Sequence, residues 1–305
     1  MRPPRGNPSR AERFGNLRFS YNFGETRGKK KRRLLVRKLY NILILAIAWP
    51  MFSGVAASRP PLFGLLLIVD PGHGGNDVGA SGYFSDSRIR VVEDEYVYDI
   101  GLRLLKKSKE NGAIAIPTIL DPLQKKSIEN EPRNVISPDG NEIYFMDKKP
   151  VRAGRNGLTP RVLVANYYRD HYPKHCPVFI SLHFDHTGNS ELSGVYLVAP
   201  SDVDAKIVGF LETEFRNAKR LRSLRDAEYH PIVQSGDRNH GMRRIMVLNP
   251  KVNEVKERVL IELGNFTNPQ DVWRIRDPKV REAYAEIMTR ALIRFKIETP
   301  LSKCR

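Results

Sequence analysis

The sequence predicts an α/β fold, a single domain with a mostly parallel central sheet flanked by helices. Three observations lead there. Leu65 to Val69 is a run of five apolar residues ending in two β-branched ones, the pattern of a strand buried on both faces, as strands of parallel sheets are. Further apolar runs alternate with segments of helical periodicity over about 240 residues, which argues for strands and helices layered on one sheet. The chain has 305 residues, 41% of them hydrophobic, enough to bury a real core.

The formal charge of +17 looks like a nucleic-acid signature until it is divided by position. Residues 1–57 carry 13 Lys+Arg and 2 Asp+Glu, which leaves 38 basic against 32 acidic residues in the rest, net +6. The imbalance sits in one arm, and there is no zinc-finger spacing and no internal repeat, so no nucleic-acid partner is expected. Residues 1–38 are too charged to bury and are expected to form a disordered basic arm. Residues 39–57 supply an apolar core ending in Val55-Ala56-Ala57, the layout of a secretory signal or, left uncleaved, of a membrane anchor. The positive-inside rule keeps the basic arm in the cytoplasm. Residues 39–57 are therefore expected to contact the membrane, and residues 58–305 to form the exported domain, periplasmic or elsewhere in the cell envelope. Cys176 and Cys304 allow a single bridge in a compartment that oxidises thiols.

The elements follow in order. Pro71 and the glycines of Asp70-Pro71-Gly72-His73-Gly74-Gly75 stop the first strand and present one histidine on a loop. A polar, Gly-rich loop covers Asn76 to Arg90. Val97, Ile100, Leu104 and Leu105 predict a helix from about Glu93 to Lys109, with Asn111-Gly112 as its stop. Ala113 to Pro117 is a second strand. Asp121 to Thr159 is a long polar insertion, in which Asp139-Gly140, between Val135-Ile136 and Ile143-Tyr144-Phe145, suggests a small hairpin. Thr159 as cap and Pro160 in the first turn open a helix through at least Tyr168. Pro173 breaks that helix, so His171, His175 and Cys176 form a helix-to-strand connection rather than a metal site. Val178 to His183 is a third strand and Val195 to Ala199 a fourth. Ser201 and Asp204 make a capping box for a helix running toward Lys219, followed by a basic, irregular stretch to Arg244. Ile245 to Leu248 is a short strand and Val259 to Glu262 another, and Asp277-Pro278 opens a last amphipathic helix through Phe295.

Three strands end on groups that chemistry can use: His73, His183 and Glu262. Parallel strands gather such ends at one edge of the sheet, and Glu93, at the start of the first helix, can reach the same edge. Two imidazoles and a carboxylate are the ligand set of a catalytic zinc that keeps a position for water, and a second carboxylate beside it would serve as general base. The alternative is that these residues are polar strand caps, with Glu262 pairing with an arginine such as Arg258.

From Leu65 to Phe295 the chain resembles the zinc-dependent N-acetylmuramoyl-L-alanine amidases, which cut the peptide stem from peptidoglycan. The stretch Asp70 to Ala80 resembles the family's opening motif, with Val78 where proline is usual. Arg161 with Ala165-Asn166 resembles the helix before the second histidine motif, and Ser181-Leu182-His183 that motif itself. Glu262-Leu263-Gly264 with Thr267-Asn268-Pro269 and Asp271 resembles the last. The resemblance implies an exported zinc hydrolase acting on peptidoglycan, with His73, Glu93 and His183 on Zn2+ and Glu262 as catalytic acid/base, and it leaves room for a protein activator. Glu95 competes with Glu93 for the middle ligand. Aligning the helix on Ile100, Leu102 and Leu104 selects Glu93, whereas starting from Glu95 buries Lys106. Ile119, Asp185 and Asn265 depart from the family's usual residues and bear on substrate detail, which leaves open a zinc peptidase or amidase on another amide; a wall-binding protein of the same fold is a further alternative that no motif favours.

Overall fold

The apolar run at Leu65 becomes a strand inside a six-stranded sheet. The computed structural model describes residues 59–84, 89–129, 135–218, 232–237 and 244–304; the basic arm and the apolar segment 39–57 lie outside them. The elements are β1 (Leu65–Pro71), β2 (Ser81–Tyr83), β3 (Arg90–Val92), α1 (Glu93–Glu110), β4 (Ile114–Pro117), β5 (Ile119–Leu120), β6 (Ile143–Tyr144) and α2 (Arg155–His171). They continue with β7 (Cys176–Asp185), β8 (Tyr196–Ala199), α3 (Lys206–Asn217), β9 (Ile232–Gln234), β10 (Glu257–Asn265), α4 (Pro269–Arg276) and α5 (Pro278–Glu298). The sheet order is β4-β1-β7-β10-β8-β9. The first four neighbours run parallel, β8 is antiparallel to β10, and β9 is parallel to β8. The predicted α/β fold with a mostly parallel sheet is thus the observed one. Among the described residues no helix is long and apolar enough to cross a membrane.

Strand periodicity decides what each face of the sheet carries. Leu65, Leu67 and Val69 pack with Val97, Ile100 and Leu104 of α1 and with Leu292 of α5. Leu66 and Ile68 turn to the other face, against Val162 and Ala165 of α2. In β7, Val178, Ile180 and Leu182 take the first face and Phe179 the second; in β10, Val259, Ile261 and Leu263 take the first and Leu260 the second. Continuing that alternation places Asp70, Ser181, His183 and Glu262 on the α2 side of the sheet. Cys176, at the start of β7, is bonded to Cys304 with their Cα atoms 5.3 Å apart, which ties the C-terminus to the sheet.

Several local expectations are corrected by longer-range contacts. The Asp139-Gly140 hairpin does not form: Tyr144 and Ile143 pair instead with Ile119 and Leu120. Ile119 and Tyr144 are buried together with Tyr98 and Val151, a gain that the local turn signal does not contain. Helix α2 starts at Arg155 rather than after Thr159, so Pro160 lies inside it. The extra turn is anchored by the Tyr144 hydroxyl, which accepts from the Arg152 N–H at 3.0 Å and donates to the Gly157 carbonyl at 3.1 Å. Ser201 and Asp204 precede α3 without capping it; Glu257 of β10 accepts the Ile207 N–H at 3.0 Å instead. Residues 246–248 form a 3-10 turn, not a strand. Side chains take the carbonyls a ladder would have used, Asn253 bonding Val247 and Arg258 bonding Leu248. The loop after Asn76 contains the small β2–β3 hairpin, and α4 was unforeseen, with Asn268 capping it through Gln270 and Asp271.

Candidate metal centre and active site

β1 ends by delivering the loop that carries His73, and that loop is fixed from several sides. Asp70, buried, accepts from Arg161 at 2.9 Å, from the Thr118 hydroxyl at 2.5 Å and from the Ser181 hydroxyl at 2.7 Å. Arg161 also donates to the carbonyls of Pro71 and His73, and the Gly72 N–H donates to the Leu182 carbonyl at 2.8 Å. These bonds hold His73 at φ 63°, a left-handed conformation that a non-glycine residue keeps only when its surroundings over-determine it. Gly72 is required beside it, since a Cβ there would meet the His183 ring at 2.4 Å.

Glu93, the first residue of α1, comes to rest between the two imidazoles. Its Oε2 lies 3.2 Å from His73 Nε2 and its Oε1 3.0 Å from His183 Nδ1. The carboxylate is aimed by the Ala80 N–H at 2.7 Å and the Phe184 N–H at 2.8 Å. Burial opposes its charge, yet His183 and His73 hold it well below the usual carboxylate range. Burial likewise opposes a charge on His73, but Asp77 and Glu93 overcome it and push that imidazole up to about 10. A pocket that stabilises positive charge this strongly suits a cation. Ligand atoms of His73, Glu93 and His183 all lie within 4.8 Å of one another, and the cleft leaves a side open, so the donor set fits zinc with room for water.

Glu262 joins this group through the sheet: it stands opposite His183 in the β7–β10 register and lines the same cleft of about 830 Å³. Arg258, the alternative partner, is engaged elsewhere, with Leu248, Val255 and Asp202. The structure brings Glu93, not Glu95, beside the histidines; Glu95 accepts the Asp139 N–H at 3.2 Å. His175 lies in the helix-to-strand connection, whereas His171 is the last residue of α2, stacked on Tyr167.

Sequence reasoning missed Asp77, whose Oδ1 lies 3.1 Å from His73 Nδ1. The spacing His73 to Asp77 was the available signal, obscured because a Gly-rich loop has no period from which to infer facing. The departures from the family pattern also find local uses. Ile119 packs the insertion onto the core, and Asn265 donates to the Thr187 hydroxyl and the Asn189 and Leu192 carbonyls, ordering the loop after β7. The end of the insertion borders the cleft at Arg152 and Gly154.

Known proteins share this fold. A germination-specific N-acetylmuramoyl-L-alanine amidase of Bacillus subtilis is 23% identical over 275 residues, covering 88% of this chain and 97% of that protein. The crystal structure of an N-acetylmuramoyl-L-alanine amidase from Clostridium difficile 630 superposes with a TM-score of 0.53 at 16% identity, over 78% of this chain and 99% of that one. The CwlD amidase from Clostridioides difficile, solved in complex with the GerS lipoprotein, gives a TM-score of 0.50 at 16% identity, over 76% and 98%. These two likenesses concern the fold. The family profile described as N-acetylmuramoyl-L-alanine amidase matches residues 67–294, from within β1 almost to the end of α5 and across all four groups of the site. A match over so much of the described domain makes this chain an enzyme of the N-acetylmuramoyl-L-alanine amidase family.

Proposed function

We propose that this protein is a zinc-dependent hydrolase of the amide bond between the lactyl group of N-acetylmuramic acid and L-alanine in peptidoglycan. The observation that carries the reading is the cluster of His73, Glu93 and His183, with Glu262 opposite His183 and with both histidines and Glu262 lining one cleft. Zinc held by the three would supply Lewis-acid polarisation and a water of lowered pKa. Asp77, with Oδ1 3.1 Å from His73 Nδ1, would orient that imidazole so that its Nε2 side faces Glu93. Glu262 takes a proton from the attacking water and passes it to the stem's nitrogen as the carbon–nitrogen bond breaks, leaving a lactyl carboxylate and the free amine of L-alanine. Arg152 and Arg244 line the cleft and suit a substrate bearing carboxylates.

The proposal extends to organisation. Residues 58–305 are the exported catalytic domain, residues 39–57 its signal or membrane anchor, and residues 1–38 a cytoplasmic arm, since a wall polymer is met only outside the membrane. The test is digestion of purified peptidoglycan followed by mass analysis, with zinc-stripped protein as control. Stem peptides beginning in L-alanine, released only with zinc, are expected. Other fragments would point to another amide, and no fragments to a wall-binding role.

A further inference from the structure

The first turn of α1 carries two more acidic residues after Glu93, and they meet a third from the insertion. Asp94, Glu95 and Glu142 each bring a carboxylate oxygen within 4.8 Å of the other two. All three residues are 2% exposed. Glu95 accepts the Asp139 N–H at 3.2 Å and Glu142 the Gly75 N–H at 2.6 Å, but neither oxygen of Asp94 makes a hydrogen bond. Among the described residues no ion pair reaches any of the three. Like charges buried together without a counter-charge are expensive, and a side chain with both oxygens unsatisfied in their midst asks for a ligand.

We propose that Asp94, Glu95 and Glu142 form a second metal site, one for Ca2+. The donors are all oxygen, the preference of a hard cation rather than of zinc. Calcium takes about six to eight oxygen ligands in flexible geometry, so it can gather carboxylates that come from different segments of the chain. Magnesium demands near-ideal octahedral geometry and keeps several of its waters, which a buried cluster of carboxylates suits less well. Asp121 and Asp139 also come within 4.8 Å of Glu142 and add negative charge around the site. The consequence is mechanical. Glu142 belongs to the insertion, Asp94 follows Glu93, and Gly75 follows the His73 loop, so one ion would clamp the insertion to the two segments that deliver His73 and Glu93.

The test uses the full-length protein, loaded with zinc and dialysed against calcium-free buffer containing zinc, with calcium titrated alone by calorimetry. One Ca2+ per chain is expected, with a Kd no weaker than about 1 mM, the range of extracellular calcium modules. The melting temperature should rise by about 3–6 °C at ten times Kd. Asp94→Asn should weaken calcium binding by at least about tenfold, the effect of losing a charged ligand. It should keep its zinc and melt no lower than wild type in calcium-free buffer, since one of three crowded like charges is gone; Glu95→Gln should behave the same way. No uptake by wild type up to about 10 mM, undiminished uptake by Asp94→Asn, or equal affinity for magnesium would overturn the proposal.

Discussion

Glu262 of β10 stands opposite His183 of β7 in parallel register, and both line one cleft. With the Cα atoms of the two residues paired across neighbouring strands, the side-chain alternation that buries Val259 and Ile261 on one face turns Glu262 to the other, where His183 also lies. The sheet therefore sets the spacing between the proposed base and His183.

The metal assignment predicts that His183→Ala loses tight zinc binding, because two protein ligands no longer make a catalytic site. Atomic emission after dialysis should fall from one zinc per chain to almost none. A variant that keeps a full equivalent would remove His183 from the ligand set.

Asp77 offers a finer test, since a carboxylate on the far nitrogen fixes the tautomer and orientation of a metal-binding histidine. Asp77→Asn should lower zinc affinity or turnover by about 10- to 100-fold while the fold persists. Competition with a chelator of known affinity reads this directly, and an unchanged zinc Kd together with unchanged turnover would show that His73 is oriented by something else.

Gly79 has φ +69°, and a Cβ there would stand 2.5 Å from Glu93 Oε2 and 2.7 Å from the His73 ring. Gly79→Ala should therefore displace two proposed ligands at once, with loss of zinc but a normal far-ultraviolet circular dichroism spectrum. Full zinc content in that variant would mean that the loop has more slack than this packing shows.

The bridge between Cys176 and Cys304 joins residues 128 apart in sequence and both cysteines are buried. Cys304→Ser should lower stability by about 2–4 kcal/mol in denaturant unfolding. Reductant should bring wild type down to the variant, and a difference that survives full reduction would assign the loss to packing instead.

What the sequence showed and what it hid divide along physical lines. β1 was legible because Leu65 to Val69 is apolar on both faces, and α5 because Asp277 and Pro278 mark its start, with Asp277 accepting the Lys279 N–H as cap. His183 and Glu262 stood out because each follows an apolar run, His73 because glycines and a proline surround it after β1, and Glu93 because it begins α1; β7 and β10 run on past His183 and Glu262, to Asp185 and Asn265. The insertion was not: its pairing of Ile119 with Tyr144 spans 25 positions, and its contact from Glu142 to Gly75 spans 67, so no window of local propensity contains them. α2 was misplaced because Pro160 is a good first-turn residue, while the turn actually added before it depends on the distant Tyr144 hydroxyl. The pairing of the two cysteines waited on knowing that the chain after α5 returns to the first residue of β7.

The most direct test of the account is Glu262→Gln, because it separates the base from the metal. Glutamine is nearly isosteric and still accepts a hydrogen bond, but it cannot take a proton from water. Turnover on purified peptidoglycan should fall by about 10² to 10⁴ while zinc stays at one per chain. A zinc-replete variant with near-normal turnover would contradict the assignment of Glu262 as base, and a variant that lost its zinc would contradict the division of roles between Glu262 and Glu93.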